Sequence, residues 1–472
     1  MAIRDLREFM AALEPMDEIR TVDGADWDLE IGAITELNFE REGPALLFDH
    51  IKGYPKGYRI LCNAVETLPR ALLALGLPTD LDTDAAIAQY EAKLSSYAPV
   101  PETEVQSGPI LENAYFGDDV DLWKFPTPRW HEADGGRYIG TGSMVIMRDP
   151  DTGEVNLGTY RVMVHDRNTA GLFIVLAHTG AQIQRKYWAR GQICPVAVCL
   201  GEDPLLFLCS AAYVQTHRRE EYEQCGYFRG ESVEVIREEV TGLPIPAGAE
   251  IVIAGEIPPP DVEMRDEGPF AEYTGYYASA TRPEPVIKVQ AMYHRNDPIL
   301  LGMPPYKYRG PSLHFGIPHH IIDLRAKVKK AGIDGVLDVW EPVHPGLKVV
   351  QVKQRYPGHA MKAALALTGD FNARFVVVVD EDINPRDPVD VLWAIATRCD
   401  PATTISILNG CSSTQLDPRL PPDKKLSGDL TTSCAIIDAC KPFHWIDQFP
   451  AANIASQELR REVLTKWKEL FQ

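Results

Sequence analysis

The first hundred residues of the chain alternate between helical and strand-like spacing of their apolar positions. Leu6–Leu13 and Leu68–Leu77 carry apolar residues at helical intervals. Ala45–Phe48 is a short apolar run of the length expected for a buried strand. A polar, proline-rich stretch over 97–106 follows and is typical of a linker. The pattern predicts a small N-terminal α/β unit over residues 1–106.

Over residues 107–300 the pattern changes to short strand-like runs separated by turn residues. The runs are Ser143–Met147, Gly158–Val164, Leu172–Leu176, Val196–Leu200, Leu205–Cys209, Glu250–Ile257 and Val286–Tyr293. One helical pattern, Gly180–Arg190, interrupts them. Many short strands with turns between them predict a β-barrel or a β-sandwich.

An alternation of helices and strands returns over residues 301–472. Helical patterns cover Ile317–Lys330, His359–Leu367 and Val389–Arg398, and strand patterns cover Gly335–Val339, Leu347–Val352, Phe375–Val379 and Thr404–Leu408. This order predicts a doubly wound or three-layer α/β domain. The last helical pattern, Ser456–Phe471, carries an apolar stripe made of Leu459, Val463, Trp467 and Leu470. Such a stripe predicts a dimer interface in this domain.

Charge and length narrow the class of protein. The chain has 472 residues and a net charge of −20, and its length allows roughly two to four domains. Lys and Arg form no block, which argues against nucleic acid and anionic membranes as partners, because both need clustered cations. No apolar run approaches the ~20 residues that span a bilayer, and the N-terminus does not resemble a secretion signal. The nine cysteines contain no C-x-x-C pair, so we expect reduced thiols in a cytoplasmic enzyme.

A candidate metal site lies around a predicted hairpin. The β-like runs Thr159–His165 and Gly171–His178 flank the turn signal D-R-N-T-A. Their pairing would bring Asn156 and His178, at the outer ends of the hairpin, close together. With Glu221 they offer an amide oxygen, an imidazole nitrogen and a carboxylate, which suits Mn²⁺ or Mg²⁺. A buried histidine with satisfied hydrogen bonds is the alternative interpretation of His178.

A candidate acid–base site starts from a charged residue in an apolar setting. Arg161 lies among Val, Met and Tyr residues, where it needs an anionic partner or a ligand. Glu267 and Glu272 are candidate partners, and Gly268 and Pro269 between them exclude a regular helix. Two carboxylates that share one arginine can titrate differently, as acid–base chemistry requires. The alternative, which spacing alone favours, is a structural Arg–Glu network and a surface turn.

An ordered set of motifs resembles one known family along nearly the whole chain. The motifs are N-x(4)-R from Asn156 with the distant His178, E-x(8)-G-E-x-V-E-V from Glu221, E-G-P-F-A-E over 267–272, and D-V-L-W-A-I-A-T-R-C over 390–399. Together they resemble the UbiD family of prenylated-FMN-dependent decarboxylases. The resemblance implies a reversible, non-oxidative decarboxylase of an aromatic, heteroaromatic or α,β-unsaturated acid. It also implies a split β-barrel flavin domain over 107–300, flanked by the N-terminal α/β unit and a C-terminal α/β domain.

The resemblance further implies cofactors, partners and residue roles. The flavin would be prenylated FMN from a partner flavin prenyltransferase, and the chain would form a homodimer or an assembly of dimers. Arg161 would hold the substrate carboxylate, Glu272 would donate a proton and Glu267 would tune both. The ligands of Mn²⁺ (or Mg²⁺) on the flavin phosphate would be Asn156, His178 and Glu221. The remaining assignments are Tyr160 beside the flavin, Ser210, Tyr213 and Glu221 around a K⁺ ion, and Tyr273, His314 and Phe315 in the substrate pocket.

One position departs from the family pattern. In the run S-C-A-I-I-D, Cys434 stands where the family often has a lysine near the cofactor phosphate. Lys424 or Lys425, from the preceding loop, is a candidate substitute. Cys434 is therefore predicted beside the cofactor without the charge that the family usually supplies.

Two other functions are compatible with a flavin barrel. One is an FMN-dependent oxidoreductase that transfers hydride, and the other is a flavin-binding scaffold without activity. The sequence has no Walker loop, no strand–G-x-G-x-x-G–helix pattern and no G-x-S-x-G elbow, so ordinary nucleotide binding and serine hydrolysis are unsupported. The pairing of Arg161 with two glutamates favours decarboxylation, because hydride transfer does not need a proton donor beside an arginine.

Overall fold

The structure is a computed structural model that describes residues 2–211, 221–307, 319–343, 345–370 and 373–471. The N-terminal unit contains four α-helices and three strands within 2–95: α1 (Leu6–Leu13), β1 (Ile19–Asp23), α2 (Glu30–Phe39), β2 (Ala45–Asp49), β3 (Arg59–Cys62), α3 (Leu68–Ala74) and α4 (Thr83–Ser95). The carboxylate of Asp5 accepts a hydrogen bond of 2.8 Å from the backbone N–H of Glu8 and so caps α1. Leu6, Phe9 and Leu13 then lie on one buried face of α1.

The central region is built mainly of antiparallel strands. Its elements are β4 (Thr103–Glu104), β5 (Asn113–Phe116), β6 (Arg137–Gly140), β7 (Met144–Arg148), β8 (Val155–Gly158), β9 (Arg161–Asp166), β10 (Thr169–Phe173), α5 (Thr179–Ala189), β11 (Cys194–Cys199), α6 (Pro204–Ala211), α7 (Glu221–Arg229), β12 (Glu234–Arg237), β13 (Pro244–Pro246), β14 (Ile251–Ile257), β15 (Met264–Glu267), β16 (Arg282–His294) and β17 (Ile299–Gly302). In the described residues, a ten-stranded sheet has the order β6-β9-β10-β16-β14-β11-β7-β8, with β15 and β5 paired to β16.

The small three-stranded sheet β13-β12-β4 lies beside it, and β17 joins the N-terminal sheet as β1-β2-β3-β17. The N-terminal unit therefore completes its sheet with a strand from the end of the central region. The mixed α/β class is confirmed, whereas the split β-barrel stays a prediction, since β6 and β8 are the two ends of the strand order and are not paired with each other.

The predicted hairpin is confirmed for its inner part only. β9 and β10 pair antiparallel, with Arg161 opposite Phe173. The predicted strand to His178 is wrong beyond Phe173, because the chain leaves the sheet there and His178 directly precedes α5. Asn156 lies on β8, which pairs with β7 and not with the hairpin.

The predicted strand Leu205–Cys209 is wrong, because this run lies within α6. A fully apolar run of five residues has no periodicity that separates a buried strand from a buried helix. Asp203 and Pro204 are a helix start signal, and the Asp203 carboxylate accepts a 3.1 Å hydrogen bond from the backbone N–H of Leu205. The helix was therefore readable from the residues just before the run.

The C-terminal domain has three layers. Its elements are α8 (His319–Lys330), β18 (Val336–Val343), β19 (Leu347–Val352), α9 (His359–Thr368), β20 (Phe375–Asp380), α10 (Pro388–Arg398), β21 (Ile405–Ser412), α11 (Pro422–Ser427), β22 (Thr431–Asp438) and α12 (Gln457–Lys466). The sheet order is β18-β19-β20-β22-β21, with a parallel centre and antiparallel edges. Val376 packs in the cluster that contains Ala363 of α9, and Val377 packs in the cluster that contains Val391 of α10. Helices on both faces confirm the α/β prediction for this region.

The described helices include none that combines the length and the apolar character needed to cross a membrane.

Candidate functional site

The centre of the candidate site is a buried ion pair between two strands. Arg161 is the first residue of β9, and Glu267 is the last residue of β15. The guanidinium Nε lies 2.8 Å from Oε1 of Glu267, and Nη2 lies 2.7 Å from Oε2. This two-pronged geometry fixes both side chains in one orientation.

Glu272 reaches the same arginine from the turn that follows β15. Its carboxylate accepts a hydrogen bond from Nη1 of Arg161. Gly268 at the start of the turn has φ +84°, a conformation that residues with a side chain rarely adopt. A Cβ atom at Gly135 would lie 2.0 Å from the carbonyl oxygen of Gly268, so the segment that packs on this turn also requires a glycine. The sequence thus folds into a tight turn that returns Glu272 to Arg161. We call Arg161, Glu267 and Glu272 the carboxylate network.

Aromatic rings enclose the carboxylate network. The guanidinium carbon of Arg161 lies 3.9 Å from the ring centre of Phe173 and 5.4 Å from that of Phe270. The hydroxyl of Tyr138 donates a 2.9 Å hydrogen bond to Oε1 of Glu267. Because Arg161 and both rings are buried, the network lies in a region with little access for water. Tyr138 and Phe173 were not predicted as site residues, since an apolar strand pattern does not distinguish a ring beside a charge from a ring in the core.

For both Glu272 and Arg161, burial and the opposite charge of the partner shift the pKa in opposite directions. Burial raises the pKa of Glu272 to about 7; Arg161 opposes this shift, and the nearby Glu267 adds to it. Burial disfavours the cation of Arg161, but the two glutamates outweigh burial and raise the pKa of its guanidinium. Burial and the adjacent Glu267 also raise the pKa of Tyr138. Glu272 is therefore the group of the network that can gain or lose a proton near neutral pH.

The predicted metal ligands come from three separate elements. Asn156 lies on β8, His178 precedes α5, and Glu221 is the first residue of α7. Oε2 of Glu221 accepts a 3.0 Å hydrogen bond from the backbone N–H of Leu157, which places this carboxylate next to the residue after Asn156. The ring centres of His178 and Tyr160 are 5.7 Å apart, and the hydroxyl of Tyr160 accepts a 3.2 Å hydrogen bond from a backbone N–H in α5.

These residues fit a metal and a phosphate. The side-chain nitrogen of Asn156 is buried and has no hydrogen-bond partner in the part of the chain that the structure describes. Burial lowers the pKa of His178, which favours the neutral imidazole that binds metals. The amide N–H of Asn156 is a donor suited to a phosphate oxygen, while its amide oxygen, a neutral imidazole and a carboxylate form a donor set for a hard divalent cation. We call Asn156, His178 and Glu221 the metal group.

The remaining predicted residues are spread over the surroundings of the site. The hydroxyl of Ser210 lies at the end of α6, 3.1 Å from that of Thr159. Tyr273 is half-buried and packs on the small cluster of Phe173, Ala278 and Leu416. The other predicted positions Tyr213, His314 and Phe315 lie outside the described residues.

Cys434 and its two candidate substitutes, Lys424 and Lys425, lie in different surroundings. Cys434 is buried on β22 in the main hydrophobic core, and burial raises the pKa of its thiol. Lys424 pairs with Asp429 at 3.1 Å, on the outside of α11. Lys425 donates a hydrogen bond to the carbonyl oxygen of Ala278, beside the carboxylate network. Of the three, Lys425 is the one whose polar contact reaches the central region.

Comparison with known proteins identifies the family. The family model of the 3-octaprenyl-4-hydroxybenzoate carboxy-lyase N-terminal domain matches residues 10–89, that of its Rift-related domain matches 102–307, and that of its C-terminal domain matches 315–439. The chain is 32% identical over 454 residues to a phenolic acid decarboxylase of Bacillus subtilis (strain 168), covering 92% of this chain and 94% of that protein.

Two solved structures share the fold. The UbiD-class enzyme HmfF from Pelotomaculum thermopropionicum in complex with FMN is 27% identical, with a TM-score of 0.82 and coverage of 98% of this chain and 100% of the enzyme. An evolved dimeric form of HmfF in complex with prFMN is 26% identical, with a TM-score of 0.78 and the same coverage. The three domain models follow one another in the order that the sequence motifs predicted, and the chain belongs to the UbiD family of carboxy-lyases.

Proposed function

We propose that this protein is a reversible, non-oxidative decarboxylase that acts on an aromatic, heteroaromatic or α,β-unsaturated carboxylic acid with prenylated FMN. The observation that carries the proposal is the carboxylate network: Glu272, with a pKa raised to about 7, lies against the buried Arg161 beside the ring of Phe173. A group that is half protonated near neutral pH is suited to donate a proton and recover it. The complexes of HmfF with FMN and prFMN support a flavin cofactor.

The reaction needs an electron sink and a proton. Loss of CO₂ from an sp² carbon leaves a carbanion without a stabilising orbital, and prenylated FMN, when bound, supplies the electron sink. The protein orients the carboxylate, excludes water and delivers the proton. Arg161 is the cation that holds the substrate carboxylate in the buried pocket.

Protonation of Glu272 frees Arg161 for the substrate. In the structure Nη1 of Arg161 donates to Glu272, while Nε and Nη2 are held by Glu267. When Glu272 takes up a proton it loses its charge, and the guanidinium can pair with the incoming carboxylate instead. Glu272 then gives its proton to the carbon that lost CO₂, and its new negative charge is stabilised by Arg161. Glu267 keeps the guanidinium in place throughout, because both of its oxygens stay bonded to it.

The cofactor would be held by residues of β8, α7 and the chain just before α5. Asn156, His178 and Glu221 would ligate Mn²⁺ or Mg²⁺ on the flavin phosphate, and the metal would neutralise the phosphate dianion that an acidic protein otherwise repels. Ser210 and Glu221, with Tyr213, would bind K⁺. Tyr160 would contact the flavin. The buried thiol of Cys434 would stay neutral and would contribute packing beside the phosphate.

The assembly proposed is a homodimer, or a set of dimers, formed through the C-terminal domain. Leu459, Trp467 and Leu470 of the apolar stripe are exposed in the single chain, at 49%, 53% and 72%. Burial of such a stripe against a second copy removes apolar surface from water. Light scattering that shows a monomer at micromolar concentration would contradict this assembly.

A cytoplasmic flavin prenyltransferase would supply the cofactor.

The test is activity after co-expression with a flavin prenyltransferase. Purified protein is incubated with a panel of aromatic and acrylic acids, beginning with phenolic acids because of the Bacillus subtilis relative. We expect CO₂ release, and H/D exchange at the carbon that carried the carboxylate, without NAD(P)H. Turnover that depends on NAD(P)H would replace this proposal with an FMN-dependent oxidoreductase.

A further inference from the structure

A segment of the C-terminal domain packs on the carboxylate network. Residues 413–428, which we call the capping segment, join β21 to β22 and include α11. Leu416 of this segment forms a buried cluster with Phe173 and Ala278 of the central region. Phe173 is the ring that lies on the guanidinium of Arg161, so the capping segment covers the network through one intervening side chain.

Ion pairs of Asp417, one within the capping segment and one to Arg374 outside it, stabilise the conformation of the segment. Asp417 lies 2.9 Å from a guanidinium nitrogen of Arg374 and 3.0 Å from one of Arg419, and it accepts a 2.7 Å hydrogen bond from the hydroxyl of Ser413. Asp417 is buried, and these partners hold the pKa of its carboxyl below the ordinary range against the effect of burial. The segment therefore presents its side chains to the central region from a fixed position.

Polar contacts join the capping segment to the central region, next to the carboxylate network, at two points. Nη2 of Arg282, on β16, donates a 3.3 Å hydrogen bond to the side chain of Gln415. The ammonium group of Lys425 donates a hydrogen bond to the carbonyl oxygen of Ala278. The next residue, Ser279, lies 3.5 Å from Nη2 of Arg161 through its hydroxyl. Lys425 is thus one residue away from a direct contact of the catalytic arginine.

We propose that Lys425 is a positioning residue of the proton donor: it fixes the capping segment to Ala278 and places a second cation beside Glu272. The inference rests on the proposed function of Glu272. With Arg161 as its single cation, the carboxylate network carries one excess negative charge when both glutamates are ionised. Lys425 offsets that charge from the side of the C-terminal domain, so the proton affinity of Glu272 depends on the position of this domain.

The charges around both groups agree with this role. Glu272 faces Arg161, Glu267 and Lys425, and the two cations lower its pKa while burial and Glu267 raise it. Burial and the cation of Arg282 lower the pKa of Lys425, while Asp417 and Glu272 raise it. The attraction between Lys425 and Glu272 is therefore favourable for both. Removal of the lysine charge should make Glu272 hold its proton to a higher pH.

The matched control is the adjacent lysine on the same helix. Lys424 pairs with Asp429 and donates to the carbonyl oxygen of Thr431, away from the network. Lys424→Met removes the same charge from the same helix without a contact to Ala278. Lys425→Arg keeps the charge, and Lys425→Gln keeps a hydrogen-bond donor without the charge.

The experiment is an infrared titration of the Glu272 carboxyl in the full-length protein. The C=O band of the protonated carboxyl is assigned by its loss in Glu272→Gln and is followed against pH. We expect Lys425→Met and Lys425→Gln to move the midpoint upward by roughly half a pH unit or more, while Lys425→Arg and Lys424→Met stay near wild type. In the loaded enzyme the alkaline limb of the pH–rate profile should move in the same direction.

A wild-type midpoint in folded Lys425→Met would overturn the inference. If that variant does not fold, Lys425→Gln decides in its place. An equal shift in Lys424→Met would also overturn it, because the effect would then be that of net charge on the domain. The titration does not depend on turnover. Absence of CO₂ release from the wild type would count against the proposed function, while the shift of the Glu272 C=O band would still decide the role of Lys425.

Discussion

The carboxylate network and the metal group are built from different elements and differ in how complete they are. In the network, Nε, Nη1 and Nη2 of Arg161 all donate to glutamates, and Glu267 accepts with both oxygens. In the metal group, the buried amide nitrogen of Asn156 has no partner among the described residues. His178 and Glu221 are half-buried; His178 directly precedes α5, and Glu221 is the first residue of α7.

This difference indicates where the protein supplies the geometry and where a ligand must. The network is held by its own ion pairs, so it should keep its shape without a cofactor. The metal group gathers side chains from a strand, a helix and the residue before another helix, and a bound ion with its phosphate would complete it. Changes in the network should therefore alter chemistry and stability, while changes in the metal group should alter cofactor content.

The largest effect is expected from Arg161→Ala. This change leaves Glu267 and Glu272 buried without their cation, and breaking a buried pair costs roughly 3–5 kcal/mol in the free energy of unfolding. Urea unfolding and CO₂ release should both show the loss, with no measurable turnover. Arg265→Ala is the control, since Arg265 is partly exposed and pairs with Asp166 and Glu263. Its cost should stay below about 1 kcal/mol.

A triple variant sharpens the same comparison. When Glu267→Gln and Glu272→Gln are added to Arg161→Ala, no charge remains buried at this point, and much of the lost stability should return. Activity should stay absent. Stability that does not return would show that the network acts through packing and not through charge.

The next effect concerns chemistry alone. Glu272→Gln keeps the shape of the side chain but cannot donate a proton, and a positioned general acid is typically worth ~10²–10⁴-fold in rate. Steady-state CO₂ release, normalised to bound cofactor, should fall by this amount while the cofactor stays bound. Glu267→Gln should also slow turnover, through the charge of its neighbours. A wild-type rate in Glu272→Gln would remove this residue from the mechanism and leave the network as structure.

Variants of the metal group test the other side of the comparison. His178→Ala and Glu221→Gln should lose metal and flavin together, because both residues are proposed to ligate the ion on the flavin phosphate. Metal analysis and flavin absorbance of the purified variants measure this, and Glu223→Gln on the same helix is the control. Full flavin occupancy without bound metal would contradict the assignment.

The sequence predicted the parts of both sites that depend on order along the chain. Gly268 and Pro269 between two glutamates indicated a turn, and the turn does bring Glu272 back to Arg161. The motifs from Asn156 to Glu221 and beyond predicted the family. These features are local, or are fixed by residue type at a short spacing.

One local signal was overlooked: Leu205–Cys209 was predicted as a strand because an apolar run of that length fits either element, although Asp203 and Pro204 before it signal a helix start. The rest depended on contacts that the sequence does not encode locally. Tyr138 reaches Glu267 from a strand far along the chain, and Lys425 reaches Ala278 from another domain. Long-range partners of this kind follow from the packing of whole elements and have no signature at either residue.

The most gradual effect is a dependence of stability on pH that belongs to Glu272. Its pKa in the fold is raised to about 7 by burial, while a glutamate in an unfolded chain titrates near ~4.3. Between these values the folded state binds more protons than the unfolded state, so the contribution is fully present below pH ~4 and is lost as pH rises towards ~7. The difference in unfolding free energy between wild type and Glu272→Gln should therefore fall by up to about 3 kcal/mol over this range and stay level above it. Urea unfolding of both proteins at a series of pH values measures the difference, and Glu263→Gln, at an exposed ion pair, should show almost no such slope. If the difference in unfolding free energy rises with pH instead, the fold lowers the pKa of Glu272. The carboxylate network would then be a structural ion pair without a proton donor.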